Sequence, residues 1–372
     1  MDEKLTNSQN AIKNSSYAWH GLQPRAEYWR GRLVVVTGAT GFLGWHLVQW
    51  LRHLGARVRT FALHPPLDHP LLTLKDIEPI FGDVRNQRLL QDILSESSVI
   101  FHAAGPVAVW GIDADTIMQS HVVGTKHVLQ AAPPQAKIVY TSSVTTIGAT
   151  RKPIPLDEEH SFNLGRLALP YIQAKRVAEQ TVLKACQEGR WACVVNPGYL
   201  LGPEDYGPSV LGRFCHRFWK GRIWLVPRGG INVADVRDVA RGHLLAAERG
   251  QPGSRYILGG HNLSFRELCH LLAHVSATHP RFLCTCPSPL LAFLALLAQV
   301  RAWWKKREPY PSVAQVKIGS YYWYYSSRRA MEELGYSVRD IAITVRDTWE
   351  WYSRTYHPKW RAFQRWWLRP AA

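Results

Sequence analysis

The amino-acid sequence predicts an α/β fold in which a doubly wound parallel sheet carries a smaller, mostly helical C-terminal lobe. Three observations lead to this prediction. Short β-branched runs alternate with helical segments, a glycine-rich turn joins the first strand to the first helix, and the alternation stops after residue 198. Strands that alternate with helices at this spacing form parallel sheets, because each helix returns the chain to the same end of the sheet.

The predicted strands are short apolar runs, and the predicted helices have helical spacing of their apolar residues. The first strand, 33–37, is bounded by glycines and is rich in valine, as is typical of a strand buried on both faces. The other predicted strands of the sheet are 57–63, 77–81, 99–102, 138–141 and 192–196, and the predicted helices are 42–54, 113–132 and 169–187. Further along, Asp238 is predicted to cap a helix that runs through Glu248, and 256–258 to add a late strand.

The turn after the first strand contains Gly38, Gly41 and Gly44. Gly38 allows a tight turn, Gly41 lets the backbone approach a pyrophosphate, and Gly44 allows the helix to pack closely on the strand. The N–H groups and the positive dipole end of the helix favour such an anion. A glycine spacing alone is a weak indication, but the strand before it and the helix after it indicate a dinucleotide-binding turn.

Tyr171 and Lys175 are four residues apart on a predicted helix, which places both side chains on one face. A free phenol has a pKa of about 10, which is too high for a general base near neutral pH. Because a nearby ammonium stabilises the phenolate, we expect Lys175 to lower the pKa of Tyr171.

Together these motifs resemble the extended short-chain dehydrogenase/reductase family, which includes sugar-nucleotide epimerases, dihydroflavonol reductases and hydroxysteroid dehydrogenases. The resemblance covers about residues 32–350, nearly the whole chain. Its further landmarks are Gly82-Asp83, His102-Ala103-Ala104-Gly105, Gly124-Thr125, Asn196-Pro197-Gly198, Asp238-Val239-Ala240 and Leu334-Gly335-Tyr336. The resemblance implies a Rossmann sheet and a nicotinamide-dependent enzyme that interconverts a hydroxyl and a carbonyl.

The resemblance also implies a role for each matching residue. Tyr171 exchanges a proton with the substrate oxygen, and Lys175 holds the nicotinamide ribose. Ser143 orients and polarises the substrate oxygen, and Ser142 is the alternative for this role. The residues expected to contact the cofactor are Gly38, Thr40, Gly41, Phe42, Leu43, Gly44, His64, Asp83, Val84, Ala103, Ala104, Gly105, Tyr171, Lys175, Pro197 and Gly198. The residues expected to contact the substrate are Ser143, Val107, Tyr199 and Arg213.

These landmarks divide the chain into four parts. Residues 1–30 are predicted to be an N-terminal extension, and 31–198 the dinucleotide-binding Rossmann domain. Residues 199–350 are predicted to form the substrate-binding lobe, interleaved with late sheet elements. Residues 351–372 form a basic, Trp-rich tail.

The end of the second strand indicates which cofactor is preferred. An acid at this position binds the ribose diol and repels a 2′-phosphate. The chain instead has Ala62, Leu63 and His64 there, with Arg57 and Arg59 on the strand. The sequence therefore favours NADP over NAD. His64 is the side chain expected near the phosphate, and an ordinary loop histidine is the alternative.

His121 stands where the family usually carries an asparagine that shapes the site and its proton path. A structural histidine is the favoured interpretation, and a part in the proton path is the alternative.

Two features favour carbonyl reduction or alcohol oxidation on a rather hydrophobic substrate. Val144-Thr145-Thr146 stand where dehydratases of the family carry an acidic pair, and the second-strand acid of NAD-recycling epimerases is absent. Two alternatives stay open. One is an NAD-dependent sugar-nucleotide epimerase, in which Arg213, Arg222 and Arg237 grip a diphosphate. The other is a membrane-surface protein that binds a nucleotide without turnover.

The formal net charge of +17 favours anionic partners, but no nucleic-acid motif accompanies it. Residues 289–307 combine an apolar run with Trp, Lys and Arg, and 353–372 combine Trp with Arg and Lys and contain no acid. Both segments suit peripheral contact with a membrane, and packing within the protein is the alternative. A homodimer through the helix that contains Tyr171 and the helix before it is a family expectation.

The six cysteines show no metal-binding spacing and no metal site is expected, so we predict free thiols in a reducing compartment. The N-terminus begins with the polar residues 1–4 and lacks the apolar stretch of a secretory signal. The sequence therefore predicts a cytoplasmic protein, with a peripheral membrane position as the alternative.

Overall fold

A computed structural model describes residues 21–65, 68–107, 112–167, 169–277, 283–305 and 310–355. Most of the predicted N-terminal extension and the tail beyond residue 355 lie outside these residues. The described chain contains a large parallel sheet with helices on both faces, followed by a lobe that combines helices with two small sheets.

The large sheet has seven strands, and every strand pair in it is parallel. Its strands are β1 (Leu33–Thr37), β2 (Arg57–Ala62), β3 (Ile77–Phe81), β4 (Val99–His102), β5 (Lys137–Thr141), β6 (Ala192–Pro197) and β10 (Arg255–Leu258). They follow the order β10-β6-β5-β4-β1-β2-β3, so the chain reverses its direction of winding between β1 and β4. The predicted Rossmann sheet is confirmed, and such a reversal opens a ligand crevice at the carboxyl ends of the strands.

Alternate residues of β1 enter the two layers of the core. Val34 and Val36 pack with Trp29 and Leu47 on one face, whereas Val35 packs with Phe61 on the other. All of these side chains are fully buried. Because successive side chains of a strand point to opposite faces, a sheet covered by helices on both sides needs continuous apolar runs such as LVVV.

The predicted helices around the large sheet are confirmed to within a few residues, and the structure adds two that the sequence did not predict, Ala26–Trp29 and Gln87–Leu94. Together they are α1 (Ala26–Trp29), α2 (Phe42–His53), α3 (Gln87–Leu94), α4 (Ala114–Met118), α5 (Gly124–Ala131), α6 (Pro170–Gln187) and α8 (Val236–Arg249). The predicted helix 113–132 is interrupted by a π-helical turn, Gln119–Val123, which lies between α4 and α5. A widened turn of this kind re-aims the side chains that follow it, and it often lies at a functional site.

The lobe contains more β-structure than the sequence predicts. Its strands are β7 (Tyr199–Leu201), β8 (Leu225–Val226), β9 (Gly230–Asp235), β11 (His261–Ser264), β12 (Cys284–Thr285) and β13 (Tyr322–Trp323). Its helices are α7 (Val210–Trp219), α9 (Phe265–Ser276), α10 (Ser288–Lys305), α11 (Val313–Gly319) and α12 (Ile341–Thr355). Strand β9 pairs with β7, β11 and β13, and β8 pairs with β12. These strands are two to six residues long, too short for a periodic pattern to predict them.

The prediction that Asp238 caps a helix is wrong. Helix α8 begins at Val236, and the carboxylate of Asp235 accepts the N–H of Arg237 at 2.8 Å as its cap. Asp238 lies in the first turn and forms an ion pair with Arg339 at 2.9 Å. In the sequence, both aspartates precede a helical pattern. Strand β9 ends at Asp235 and the helix follows directly, so Asp235 is the cap.

Candidate active site

The glycine turn between β1 and α2 has the backbone that a bound pyrophosphate requires. Gly38 has φ +72, and a Cβ added there would lie 2.8 Å from the carbonyl oxygen of Ala103. A Cβ on Gly44 would lie 2.1 Å from the carbonyl oxygen of Gly38, so α2 packs directly on the turn. Helix α2 begins after Gly41, which has no side chain to satisfy the first-turn N–H groups. The turn therefore fits a dinucleotide, with Phe42, Leu43 and Gly44 supplying N–H donors.

A buried hydrogen-bond network fixes the loop that follows β4. His102 Nδ1 lies 2.8 Å from Thr37 Oγ1, and His102 Nε2 lies 3.0 Å from Thr125 Oγ1. Thr125 donates to the carbonyl oxygen of His121 at 2.5 Å, so it must accept from His102 Nε2–H. Thr37 then donates to Nδ1 and accepts the N–H of Ala104 at 3.2 Å. Burial, with Lys175 nearby, lowers the pKa of His102 to about 3, so a neutral ring fits this network.

The network places the loop of Ala103, Ala104 and Gly105 against the end of β1. It also ties this loop to the π-helical turn, because the last acceptor is the backbone of His121. Every polar group along the network has a partner, which is what a buried polar network needs in order to be rigid.

Tyr171 and Lys175 lie on α6, next to the carboxyl end of β5. Lys175 is buried, and its ammonium donates to the carbonyl oxygen of Thr141 at 2.7 Å. Burial raises the pKa of Tyr171 to about 12, and the nearby Ser143 hydroxyl acts in the opposite direction. Burial also lowers the pKa of Lys175 to about 7, although Glu179 acts to raise it. The structure therefore brings together Tyr171, Lys175 and Ser143.

The prediction that Lys175 lowers the pKa of Tyr171 is wrong for this structure. The Lys175 ammonium is directed at Thr141 and lies 5.2 Å from the ring of Tyr140. Burial is therefore the main influence on the pKa of Tyr171, and it raises that pKa. The sequence spacing identifies two groups on one helix face, but it does not show where the ammonium finds its acceptor. At neutral pH the phenol is consequently protonated.

Glu179 is a site residue that the sequence interpretation missed. Its carboxylate is 1% exposed and accepts hydrogen bonds from the hydroxyls of Ser142 at 2.5 Å and Thr146 at 2.6 Å. It also accepts from Asn196 Nδ2 at 2.9 Å and pairs with Arg255 at 3.4 Å. Glu179 lies four residues after Lys175, and Lys175 lies four residues after Tyr171. This spacing, which places all three side chains on one helix face, is the sequence signal that could have identified Glu179.

His121 is packed between the loop after β4 and Tyr171. Its Nε2 lies 3.0 Å from the carbonyl oxygen of Pro106, and its ring meets that of Tyr171 edge-on at 5.6 Å. Burial lowers its pKa well below the ordinary value, so the ring is neutral. A Cβ on Gly105 would lie 2.2 Å from the His121 ring, so glycine is required there. This packing supports the structural interpretation of His121, because the Nε2–H bond ends on a carbonyl group.

The remaining predicted cofactor residues occupy the same end of the sheet. Burial acts to raise the pKa of Asp83, but the hydrogen bonds of Arg85 prevail and lower it. The ring of His64 packs against that of Phe81, with centroids 4.7 Å apart and planes tilted by 43°. The N–H of Gly198, which follows Pro197 at the end of β6, donates to the carbonyl oxygen of Leu258 at 3.1 Å. Thr40 and Val84 are buried beside the glycine turn and α5 respectively.

The arginines of β2 are directed elsewhere. Arg59 forms an ion pair with Glu78 at 2.8 Å and donates to the carbonyl oxygen of Ile93 at 2.7 Å. Arg57 begins the strand, at the end of the sheet opposite the glycine turn. Neither arginine supports the preference for NADP that the sequence suggested, which leaves Leu63 and His64 as its basis.

The predicted substrate residues differ in their positions. Tyr199 lies near Tyr171, and burial together with that phenol raises the pKa of Tyr199. Arg213 donates to the carbonyl oxygen of Pro208 at 3.1 Å, and Val107 is 64% exposed. Arg237, which the epimerase alternative requires, is held by Asp235 and Asp347 at 2.7 Å each. A guanidinium bound to two carboxylates cannot also grip a diphosphate without losing them.

This fold, with a glycine turn and a Tyr–Lys pair at the carboxyl ends of its parallel strands, defines a nicotinamide-dependent Rossmann enzyme. The model of the NAD dependent epimerase/dehydratase family matches residues 34–259. The chain belongs to this family, and it is an NAD(P)-dependent oxidoreductase of the extended short-chain dehydrogenase/reductase type.

Relatives and solved structures agree with this assignment. The chain is 32% identical to a Synechocystis sp. protein named for dihydroflavonol 4-reductase, over 85% of this chain and 93% of that protein. It is 29% identical to the sterol demethylase protein B of Methylococcus capsulatus, over 86% of this chain and 97% of that protein. The crystal structure of gox2253 matches with a TM-score of 0.75 at 30% identity, covering 87% of this chain and 98% of that one.

We predict that Glu179→Gln destabilises the protein, because an amide cannot replace a carboxylate that accepts from several donors. The free energy of unfolding should fall by about 3 kcal/mol, measured by urea denaturation. Glu188→Gln is the matched control, since Glu188 is 66% exposed at the end of the same helix and should change stability by about 0.5 kcal/mol or less. Equal effects of the two substitutions would contradict the network.

We also predict a pH-dependent contribution of Lys175 to stability. Between its folded-state pKa of about 7 and its ordinary value of 10.5, the unfolded chain binds a proton that the folded chain does not. Raising the pH through this range should therefore stabilise the wild type relative to Lys175→Met, by up to about 1.4 kcal/mol per pH unit. Urea denaturation of both proteins at several pH values measures the difference. A difference independent of pH would show that the folded protein keeps Lys175 charged.

Proposed function

We propose that the enzyme interconverts a carbonyl and a secondary hydroxyl on a hydrophobic substrate, with Tyr171 as the group that exchanges the proton. One observation carries this proposal. The partly buried Tyr171 phenol, whose pKa desolvation raises to about 12, lies within hydrogen-bonding reach of Ser143 at the crevice that the glycine turn opens. A phenol protonated at neutral pH is suited to donate its proton to a carbonyl oxygen.

Each residue of the site has a distinct part in this reaction. Ser143 donates a hydrogen bond to the substrate oxygen and polarises the carbonyl. Tyr171 gives its proton to that oxygen in reduction and takes it back in oxidation. Lys175, fixed to Thr141, holds the nicotinamide ribose, and Glu179 positions α6 through the end of β5. The bound cofactor supplies or accepts the hydride.

The hydrophobic character of the substrate is supported by the lobe and by the relatives. Tyr199 and Tyr325 lie near one another beyond Tyr171, and Tyr325 is held by its hydrogen bond to the carbonyl oxygen of Gly148 at 2.6 Å. Among the relatives are the sterol demethylase protein B of Methylococcus capsulatus and the mouse sterol-4-alpha-carboxylate 3-dehydrogenase, 26% identical over 59% of this chain. Tyr199, which is partly buried beside Tyr171, offers an aromatic surface that suits an apolar ring system.

The preference for NADP over NAD remains part of the proposal. Leu63, 47% exposed, and His64 stand at the end of β2 where an acid would repel a 2′-phosphate. The phosphate would accept a hydrogen bond from His64, whose ring is already held against Phe81.

The membrane contact predicted for residues 289–307 or 353–372 and the homodimer also remain proposals. None of the helices in the described parts of the chain is long and apolar enough to cross a membrane.

We predict that His64→Asp reverses the cofactor preference, because the new carboxylate repels the 2′-phosphate and binds the ribose diol. Thermal stabilisation by NADPH should exceed that by NADH in the wild type, and the ratio of their dissociation constants should change by about tenfold or more in the variant. His53→Asp is the matched control, an exposed histidine at the end of α2. A wild type stabilised more by NADH together with UDP-glucose than by NADPH would overturn the reductase proposal in favour of the epimerase.

A further inference from the structure

Helix α10 presents a broad apolar face to the solvent. Its opposite side is anchored to the lobe, where Leu291 and Ala295 pack with Val316 and Cys286. The exposed face consists of side chains whose exposures range from 52% to 79%: Leu290, Phe293, Leu296, Leu297, Val300 and Trp304. With 3.6 residues per turn, these positions fall within a sector of about 120°. The exposed face is therefore as continuous as the apolar stripe by which an ordinary helix packs on a core.

Trp224 is a further exposed aromatic residue near the beginning of α10. Its side chain is 60% exposed, and its carbonyl oxygen accepts the N–H of Cys284 at 2.9 Å. This bond places Trp224 beside the segment that leads into α10. We call Trp224 and the exposed side chains of α10 the apolar face. Single exposed apolar residues are ordinary, but a contiguous set of this size indicates a binding partner.

The sequence around the apolar face is basic. No acid occurs between Asp205 and Asp235, where Lys220, Arg222 and Arg228 are all exposed. No acid occurs between Glu267 and Glu308 either, and Arg301 is exposed on α10 itself. An apolar surface with cations at its border is complementary to an anionic layer that covers an apolar interior.

We propose that the apolar face lies in the headgroup layer of a membrane that contains anionic phospholipids, with α10 parallel to the membrane plane. Trp224 and Trp304 are amphipathic side chains that favour headgroup level, while Phe293 and Leu297 reach the acyl chains. Basic residues such as Arg222 and Arg301 bind the phosphates. The partner of the lobe is thus a membrane. This inference rests on the proposed function, because a hydrophobic substrate would be concentrated in the membrane.

Vesicle flotation tests this contact directly and does not depend on turnover, so failure of the proposed reaction would leave the result unchanged. The full chain, with NADPH, is mixed with phosphatidylcholine vesicles with or without phosphatidylserine. We expect flotation with the anionic vesicles, weaker flotation with pure phosphatidylcholine, and weakening by salt. Phe293→Glu and Leu297→Glu should each lower the partition coefficient by about tenfold or more.

Met331→Glu is the matched control, because Met331 is 45% exposed but lies away from α10, and it should float as the wild type does. All three variants should retain the thermal stabilisation by NADPH, which shows that they fold. Equal flotation of Phe293→Glu and Met331→Glu would overturn the proposal.

Loss of flotation only with Trp366→Ser and Trp367→Ser would assign the contact to the tail instead. A wild-type dimer that does not float, and that Phe293→Glu makes monomeric, would show that a second copy covers the apolar face.

Discussion

The active site depends on one buried carboxylate. Glu179 accepts hydrogen bonds from Ser142 and Thr146, which follow β5, and from Asn196 at the end of β6. It thereby fixes helix α6 to the carboxyl ends of two neighbouring strands. Because a buried charge is costly without partners, the carboxylate holds these donors in one arrangement. Tyr171 and Lys175 lie on the same helix, and their positions relative to the crevice follow from this attachment.

Burial sets the chemistry of the two groups that the helix carries. Because little water reaches these groups, the pKa of Tyr171 rises to about 12 and that of Lys175 falls to about 7. The neutral rings of His102 and His121 add no charge nearby. A site of this kind supports proton transfer to a carbonyl oxygen. The apolar face of α10 would bring a hydrophobic substrate to the lobe from a membrane.

Short-range sequence patterns predicted the parts of the fold that depend on local chemistry. The valine run of β1, the glycine turn and the Tyr171–Lys175 spacing each follow from the geometry of one element, and the structure has each of them. The parts that were missed depend on contacts between distant residues. Glu179 pairs with Arg255 of strand β10, and Asp238 pairs with Arg339 instead of capping α8. The short strands of the lobe exist only because β7, β11 and β13 pair with β9, and β8 with β12. Likewise, the acceptor of the Lys175 ammonium is a backbone group that no side-chain pattern indicates.

The central claim is that the Tyr171 phenol exchanges the proton while other groups bind the cofactor. The most direct test is the rate of NADPH oxidation with a hydrophobic ketone by Tyr171→Phe, measured beside its thermal stabilisation by NADPH. Removing a general acid should lower kcat on the order of a thousandfold, while the stabilisation by NADPH stays nearly that of the wild type. A variant that retains its turnover would contradict the account, because the proton would then come from another group.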